Sequence, residues 1–200
     1  MNDGVIKYSQ TAHAQESLGD FDSYEVLEEC RAALIELGYI GVYPNGVGYG
    51  NISARDGFGE ERGARAFVIT GSQTGNLKSL AKSDYVRINT YNTNNLTMSS
   101  RGLRSASSES LTHAAIYDAD EKIRAVIHIH DKNLWRFMLS GAFAKTSKEV
   151  EYGTKEMASA VGALYEGSYC HIFVTEGHED GVFAVGSSVS EAMENLMSLR

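Results

Sequence analysis

The stretch Ala-Val-Ile-His-Ile-His at residues 125–130 sets two histidines one place apart in a run of small and branched apolar residues. Side chains of an extended strand alternate faces. Val126, His128 and His130 therefore share one face, and Ala125, Ile127 and Ile129 share the other. Two imidazoles project the same way from the end of a stiff element, which is how two nitrogen ligands of a metal ion are held. Taken alone, the pair also fits two histidines on an ordinary edge strand. A tetrahedral site of the catalytic type needs a third protein ligand and one open position. His178, in the Gly-flanked segment VTEGHEDGV between two strand patterns, is the candidate. His171 opens the preceding strand pattern and His13 sits near the N-terminus; both read as structural or solvated.

Glu109, in ASSESLTHAAIY, falls in the first turn of a helical pattern. A carboxylate there complements the helix dipole and fits a plain capping role. His113, four residues on, shares its helix face. Beside a metal, Glu109 would act as ligand, as general base, or as each in turn. Three small polar segments complete the set: GNIS at 50–53, GSQTG at 71–75 and Ser107-Ser108. Each offers backbone N–H groups, hydroxyls or an amide to an anion, and the serine pair sits where a helix N-terminus favours a phosphate. GSQTG is not a Walker loop, because it lacks the Gly-Lys-Ser/Thr ending. Each segment alone is equally at home as a structural loop.

The elements that must position these groups follow from periodicity. Residues 21–37 have helical spacing and Gly38 is a stop. GVYPNGVGYG is a turn-rich loop, NISAR and AFVIT are strands, and DGFGEERGAR is a hairpin connection between them. The stretch 71–84 is a loop with a short helix, followed by strands at YVRINT and NLTMS. A helix over SSESLTHAAIYDA starts on a capping serine. After the His-x-His strand come a short helix at KNLWRFMLS and an amphipathic helix capped by Thr154. HIFVTE and GVFAVG are strands joined by GHED, and a last helix covers SVSEAMENLMSLR. Residues 1–20 read as a polar, loosely ordered segment and 21–200 as one domain. Interspersed helices and strands imply an α/β domain with helices on both faces of a mixed, largely antiparallel sheet.

The 200 residues are 42% hydrophobic and 22% charged, a globular composition. No apolar run reaches the length of a membrane span, and the N-terminus carries no apolar signal core. A net charge of −8 without a Lys/Arg cluster argues against nucleic acid and anionic membrane as partners. Cys30 and Cys170 read as small core residues in a reducing compartment, and the cytoplasm is the expected location.

The order of the motifs says more than any one of them. Gly-Asn-x-Ser is followed by Ile-Thr…Thr-Gly, Ser-Ser-Glu, His-x-His, Tyr-Gly-Thr, a histidine before Gly-Val, and a closing Glu-Ala helix. From about residue 24 to residue 197 this succession resembles the class II aldolase/adducin family. The resemblance implies a three-layer α/β/α sandwich around a mainly antiparallel sheet. It implies one divalent metal, most often Zn2+ with Mn2+ or Fe2+ as alternatives, held by His128, His130 and His178. It places the acid/base role on Glu109 and phosphate binding on Asn51, Thr74, Gly75, Ser107 and Ser108, with Ser72 an alternative in the 71–75 loop.

The implied reaction is cleavage of a phosphorylated ketose or related sugar by a metal-dependent aldehyde-lyase through a metal-stabilised enediolate. Epimerisation, dehydration and decarboxylation run on the same kind of site, and adducin-like members are non-catalytic interaction modules. Relatives are commonly homotetramers. The sequence departs from the pattern in three places. Residues 131–152 are shorter than the corresponding aldolase segment, which carries a tyrosine acid that Tyr152 does not clearly match. The loop after the third histidine reads HEDGV, so Glu179 and Asp180 either orient His178 or are solvated. The chain also stops at Arg200, where relatives continue into a tail over the site, which implies a more open pocket or one completed by a partner subunit.

Overall fold

The computed structural model describes residues 5–55, 66–166 and 169–199. In chain order the strands are β1 (Ser9–Ala14), β2 (Gly41–Val42), β3 (Gly48–Tyr49), β4 (Asn51–Ala54), β5 (Phe67–Thr70), β6 (Tyr85–Asn92), β7 (Thr97–Arg101), β8 (Ala125–His130), β9 (Ala144–Thr146), β10 (Ile172–Thr175) and β11 (Gly181–Gly186). The helices are α1 (Tyr24–Glu36), α2 (Ser110–Ala119), α3 (Lys132–Ser140), α4 (Lys155–Leu164) and α5 (Val189–Met197). Nine strands make one sheet in the order β1-β7-β6-β5-β4-β8-β11-β10-β9, and β2 and β3 form a separate hairpin. Among the described residues the interior pairs are antiparallel and the two edge pairs, β1 with β7 and β9 with β10, are parallel.

Strand alternation divides the interior into two apolar layers. Ile52, Ala54, Ala125, Ile127, Ile129, Val182 and Ala184 pack with Leu27 and Leu34 of α1, Met138 of α3 and Ala192 and Leu196 of α5. Val126, Phe173, Phe183 and Val185 face the opposite way, toward Ala114, Ile116 and Tyr117 of α2 and Met157 and Val161 of α4. This is the three-layer sandwich with a mainly antiparallel sheet that the sequence implies. Cys30 and Cys170 are buried and free, and burial pushes the Cys30 thiol up to about 12, far from a reactive thiolate. Among the described residues, no helix is long and apolar enough to cross a membrane.

Several local expectations change. Residues 9–14, read as loosely ordered, form β1, which the parallel register with β7 holds at the sheet edge. Its side chains are all exposed, so neither apolar periodicity nor burial announces it. Just before it, Tyr8 is buried and donates to the carbonyl of Ala106 (2.9 Å). The turn-rich loop contains the β2–β3 hairpin, and the short helix of 71–84 is a single 3-10 turn at Lys82–Asp84. The expected connection at 56–65 lies outside the described residues. Helix α2 is not capped by a serine: Glu109 holds the N-cap position, and Ser107 Oγ accepts from the Glu109 N–H (3.3 Å). Thr154 caps α4 as expected, accepting from the Met157 N–H (3.2 Å).

Two buried polar groups fasten the site's surroundings. Arg31 is 1% exposed on α1, and its guanidinium donates to the carbonyls of Thr74 (2.8 Å) and Leu77 (2.6 Å). Beside it, Glu28 accepts from Leu80 N–H (2.7 Å) and Tyr85 OH (2.8 Å). The 71–80 loop is thus pinned from behind by one helix. Arg31→Met leaves two carbonyls and Glu28 without their cation, and we expect a loss of about 3 kcal/mol in urea unfolding.

The second group is His113, expected to pair with Glu109 on a shared helix face. It is fully buried instead, with Nδ1 2.7 Å from Ser53 Oγ, which in turn lies 2.7 Å from Tyr117 OH. Burial drives its pKa from 6.5 to about 3. The unfolded chain takes up this proton below about pH 6.5 and the folded chain does not, so stability is full above that pH and falls with acidification. The decline from pH 7.5 to pH 5 is about 2 kcal/mol for this group. His113→Gln should flatten the slope by that amount in denaturant titrations at the two pH values.

Candidate metal and anion site

Antiparallel pairing brings one set of strand ends together. His128 pairs with Asn51 on one side and Phe183 on the other, and His130 pairs with Gly181. The C-terminal ends of β5, β8 and β10 and the N-terminal ends of β4 and β11 therefore meet at one edge of the sheet. Loops leaving these ends carry the chemistry.

His128 and His130 stand on the predicted face of β8, with ring centroids 4.9 Å apart. His178 joins them from the β10–β11 turn, 5.3 Å from His128 and 4.8 Å from His130. The turn is tight. Thr175 Oγ1 lies within hydrogen-bond reach of the His178 and Gly181 carbonyls (3.2 and 2.9 Å), and the Asp131 N–H donates to the Asp180 carbonyl (3.0 Å). Asp180 thus secures the loop through its backbone, at a positive φ of 66°, while Glu179 is exposed.

All three imidazoles are at most 6% exposed, and one nitrogen of each lies within 4.8 Å of the others. Burial first, and the neighbouring His130 and His178 second, hold the pKa of His128 well below its usual value, so it is a neutral base. Its Nε2 is buried and has no hydrogen-bond partner. Three imidazole nitrogens, one of them on His128 without a hydrogen-bond partner, fit a divalent metal of the kind imidazole prefers.

Neighbours orient each ring. His128 stacks on Phe183 at 4.2 Å and 6°, with Asn51 Nδ2 3.3 Å from its Nδ1. His130 Nδ1 is 2.7 Å from Tyr43 OH, and the Tyr49 ring lies 5.6 Å away. His178 has the Tyr152 ring 4.8 Å away and Glu109 Oε1 3.4 Å from its Nδ1. Such outer partners fix which nitrogen is left for a metal. Tyr152 OH is engaged with the Val5 backbone (N–H at 3.1 Å), so this residue contributes its ring to the site and commits its hydroxyl elsewhere.

A cleft opens beside the imidazoles. Of the nine residues expected at the site, Asn51, Thr74, Gly75, Ser107, Ser108, Glu109, His128 and His178 line it, and His130 joins through the imidazole cluster. Ser72 lines it too. Thr74 spends its hydroxyl hydrogen on the Gly71 carbonyl (2.9 Å), which shapes the loop. Gly75 is required by contact: a Cβ there would sit 2.0 Å from the Gly41 carbonyl oxygen of the hairpin. Gly50 turns the chain into Asn51 at φ +74°, and a Cβ would come 2.9 Å from the Tyr39 carbonyl. No Lys or Arg is among the described lining residues. An anion here meets hydroxyls, amides and the N-terminal end of α2.

Residues missed in the sequence sit on the hairpin. Tyr43 and Tyr49 flank Pro44-Asn45-Gly46, and Gln73 Oε1 accepts from the Gly48 N–H (3.1 Å), tying hairpin to loop. Asn-Gly between two aromatic residues is a hairpin signal that would have brought both tyrosines into view.

Comparisons with known proteins agree with this fold. Among solved structures, an L-fuculose-1-phosphate aldolase from Thermus thermophilus is similar at a TM-score of 0.64 and 20% identity, covering 88% of each chain. A sugar-phosphate aldolase from Thermotoga maritima is similar at a TM-score of 0.67 and 16% identity, covering 88% of this chain and 90% of its own. An L-fuculose 1-phosphate aldolase from Glaciozyma antarctica is similar at a TM-score of 0.59 and 16% identity, covering 88% of this chain and 69% of its own. At these identities the likeness is one of fold. No curated protein matches the chain. Residues 45–200 match the family described as Class II Aldolase and Adducin N-terminal domain, and the chain belongs to that family.

Proposed function

We propose that this chain is a metal-dependent aldehyde-lyase that cleaves a small phosphorylated ketose or a related sugar acid. The observation that carries the reading is a buried cluster of three imidazoles with a carboxylate at 3.4 Å, opening into the same cleft as the Ser, Asn and Thr-Gly loops. His128, His130 and His178 would hold one divalent ion, Zn2+ first among Zn2+, Mn2+ and Fe2+. When bound, that ion supplies Lewis-acid polarisation of a substrate carbonyl and adjacent hydroxyl.

The chain's own residues do the rest. Ser107, Ser108, Asn51 and the Thr74-Gly75 backbone anchor the phosphate and set the distance from it to the imidazoles. Glu109, 3% exposed and at the N-cap of α2, takes the proton of the substrate hydroxyl as the carbon–carbon bond breaks and returns it to carbon. The Phe183, Tyr43, Tyr49 and Tyr152 rings keep the imidazoles in place and exclude water from them. The reading includes a homotetramer by family analogy and a cytoplasmic location.

Purified without chelator, wild type should carry about one metal per chain by mass spectrometry, and His128→Ala/His130→Ala should carry none. Glu109→Gln should keep the metal and lose about 10²–10⁴-fold in turnover of a phosphorylated ketose, read as aldehyde release. A folded wild-type chain that takes up no zinc on addition would sink the lyase reading and favour a non-catalytic, adducin-like role. Full metal with turnover confined to epimerisation, dehydration or decarboxylation would move the reaction but keep the site.

A further inference from the structure

We propose that Lys7 is a positioning residue for the metal site: it holds the Tyr152 ring against His178 and so slows release of the ion. The inference rests on the metal-site reading above. It starts from a segment that the family match leaves out. Residues 45–200 carry that match. Val5, Lys7 and Tyr8 lie well before it in sequence, yet each fastens a part of the site.

Tyr152 is 5% exposed in the loop between β9 and α4. Its ring lies 4.8 Å from the His178 ring, with the planes 33° apart. The same loop rides on the turn that carries His178: a Cβ on Gly177 would sit 2.3 Å from the Val150 carbonyl oxygen and 2.6 Å from that of Lys148. A connecting loop has no ladder of hydrogen bonds to fix it, and the N-terminal segment supplies what is missing. The Val5 N–H donates to the Tyr152 hydroxyl (3.1 Å). The Lys7 ammonium donates to the Tyr152 carbonyl (3.0 Å) and stands 4.2 Å from the centre of the Tyr152 ring. Lys7 is itself anchored on its C-terminal side. Buried Tyr8 donates to the Ala106 carbonyl (2.9 Å), one residue ahead of Ser107, and the Ser9 N–H donates to the Leu96 carbonyl (2.8 Å).

Lys7 has a second partner in Glu151 (2.9 Å), but that carboxylate is 69% exposed and the Lys7 side chain 21%. An ion pair open to water contributes little. An ammonium over an aromatic face is held more firmly as water is excluded. The ring contact is therefore the one that matters here. Its effect on an ion has a telling sign. A cation near a divalent ion repels it, so charge alone would make loss of Lys7 favourable to zinc. Positioning works the other way. Without Lys7 the Tyr152 ring is loosened, His178 loses the wall that limits its rotation, and a ligand that moves lets its metal go sooner.

The test follows zinc release from the zinc-loaded full chain into an excess of chromogenic chelator. Lys7→Met should release zinc about 5-fold faster than wild type, and Tyr152→Leu about 10-fold faster. Lys7→Arg restores a cation over the ring and should stay within about 2-fold of wild type. Glu151→Gln removes only the exposed pair and should also stay within about 2-fold. In the Tyr152→Leu background, Lys7→Met should add less than about 2-fold, because the ring through which it acts is gone. The urea midpoint of the metal-stripped Lys7→Met chain should match that of wild type, which separates positioning from general loss of fold. Unchanged or slower zinc release in Lys7→Met overturns the inference and leaves the metal site standing. The same factor with and without the Tyr152 ring, or a Glu151→Gln effect equal to that of Lys7→Met, overturns it too. A wild-type chain that takes up no zinc overturns the metal-site reading together with the inference.

Discussion

Three imidazoles buried side by side are the constraint to which the rest of this structure answers. A buried ring nitrogen left without a partner costs about 1–3 kcal/mol. Each ring is therefore held by a different part of the chain. Phe183 and Phe173 form a stack under His128 (4.2 and 5.1 Å), the β2–β3 hairpin brings Tyr43 to His130, and the helix α2 N-terminus brings Glu109 to His178. The cluster acts as the meeting point of the sheet, one helix and one hairpin.

The antiparallel interior of the sheet makes that meeting possible. Alternate strands run in opposite directions, so the ends of β4, β5, β8, β10 and β11 and the loops attached to them share one edge. Both helical layers then serve that edge. On one face Arg31 and Glu28 of α1 pin the 71–80 loop by its backbone. On the other, α2 is anchored to β4 through the His113–Ser53–Tyr117 chain of hydrogen bonds, which fixes where Ser107, Ser108 and Glu109 start. Positioning by buried polar groups is demanding, because each must be satisfied, and it yields loops whose place is determined by rigid elements.

Much of this was legible before any coordinates. Period-two alternation put His128 and His130 on the face opposite Ile127 and Ile129, and the two apolar layers agree. Helical spacing and capping residues located α1, α3, α4 and α5. What stayed hidden depends on contacts across long stretches of chain. β1 has no buried side chain to betray it, and what joins it to β7 is backbone pairing with polar side-chain bonds from Gln10, Thr11 and His13. Sequence spacing puts His113 beside Glu109, yet its ring turns to Ser53, sixty positions away. Tyr43 reaches His130 only because a two-strand hairpin folds back, and Gly75 is needed only because Gly41 crosses it. A distance between residues in sequence carries no record of such crossings.

The central claim is that these three imidazoles are a metal site. X-ray absorption at the zinc edge, on the zinc-loaded chain, tests it most directly. Three imidazole nitrogens at about 2.0–2.1 Å are expected, with one or two oxygens completing the shell. A spectrum showing sulfur ligation, or an all-oxygen shell without the outer-ring scattering of imidazole, would contradict it.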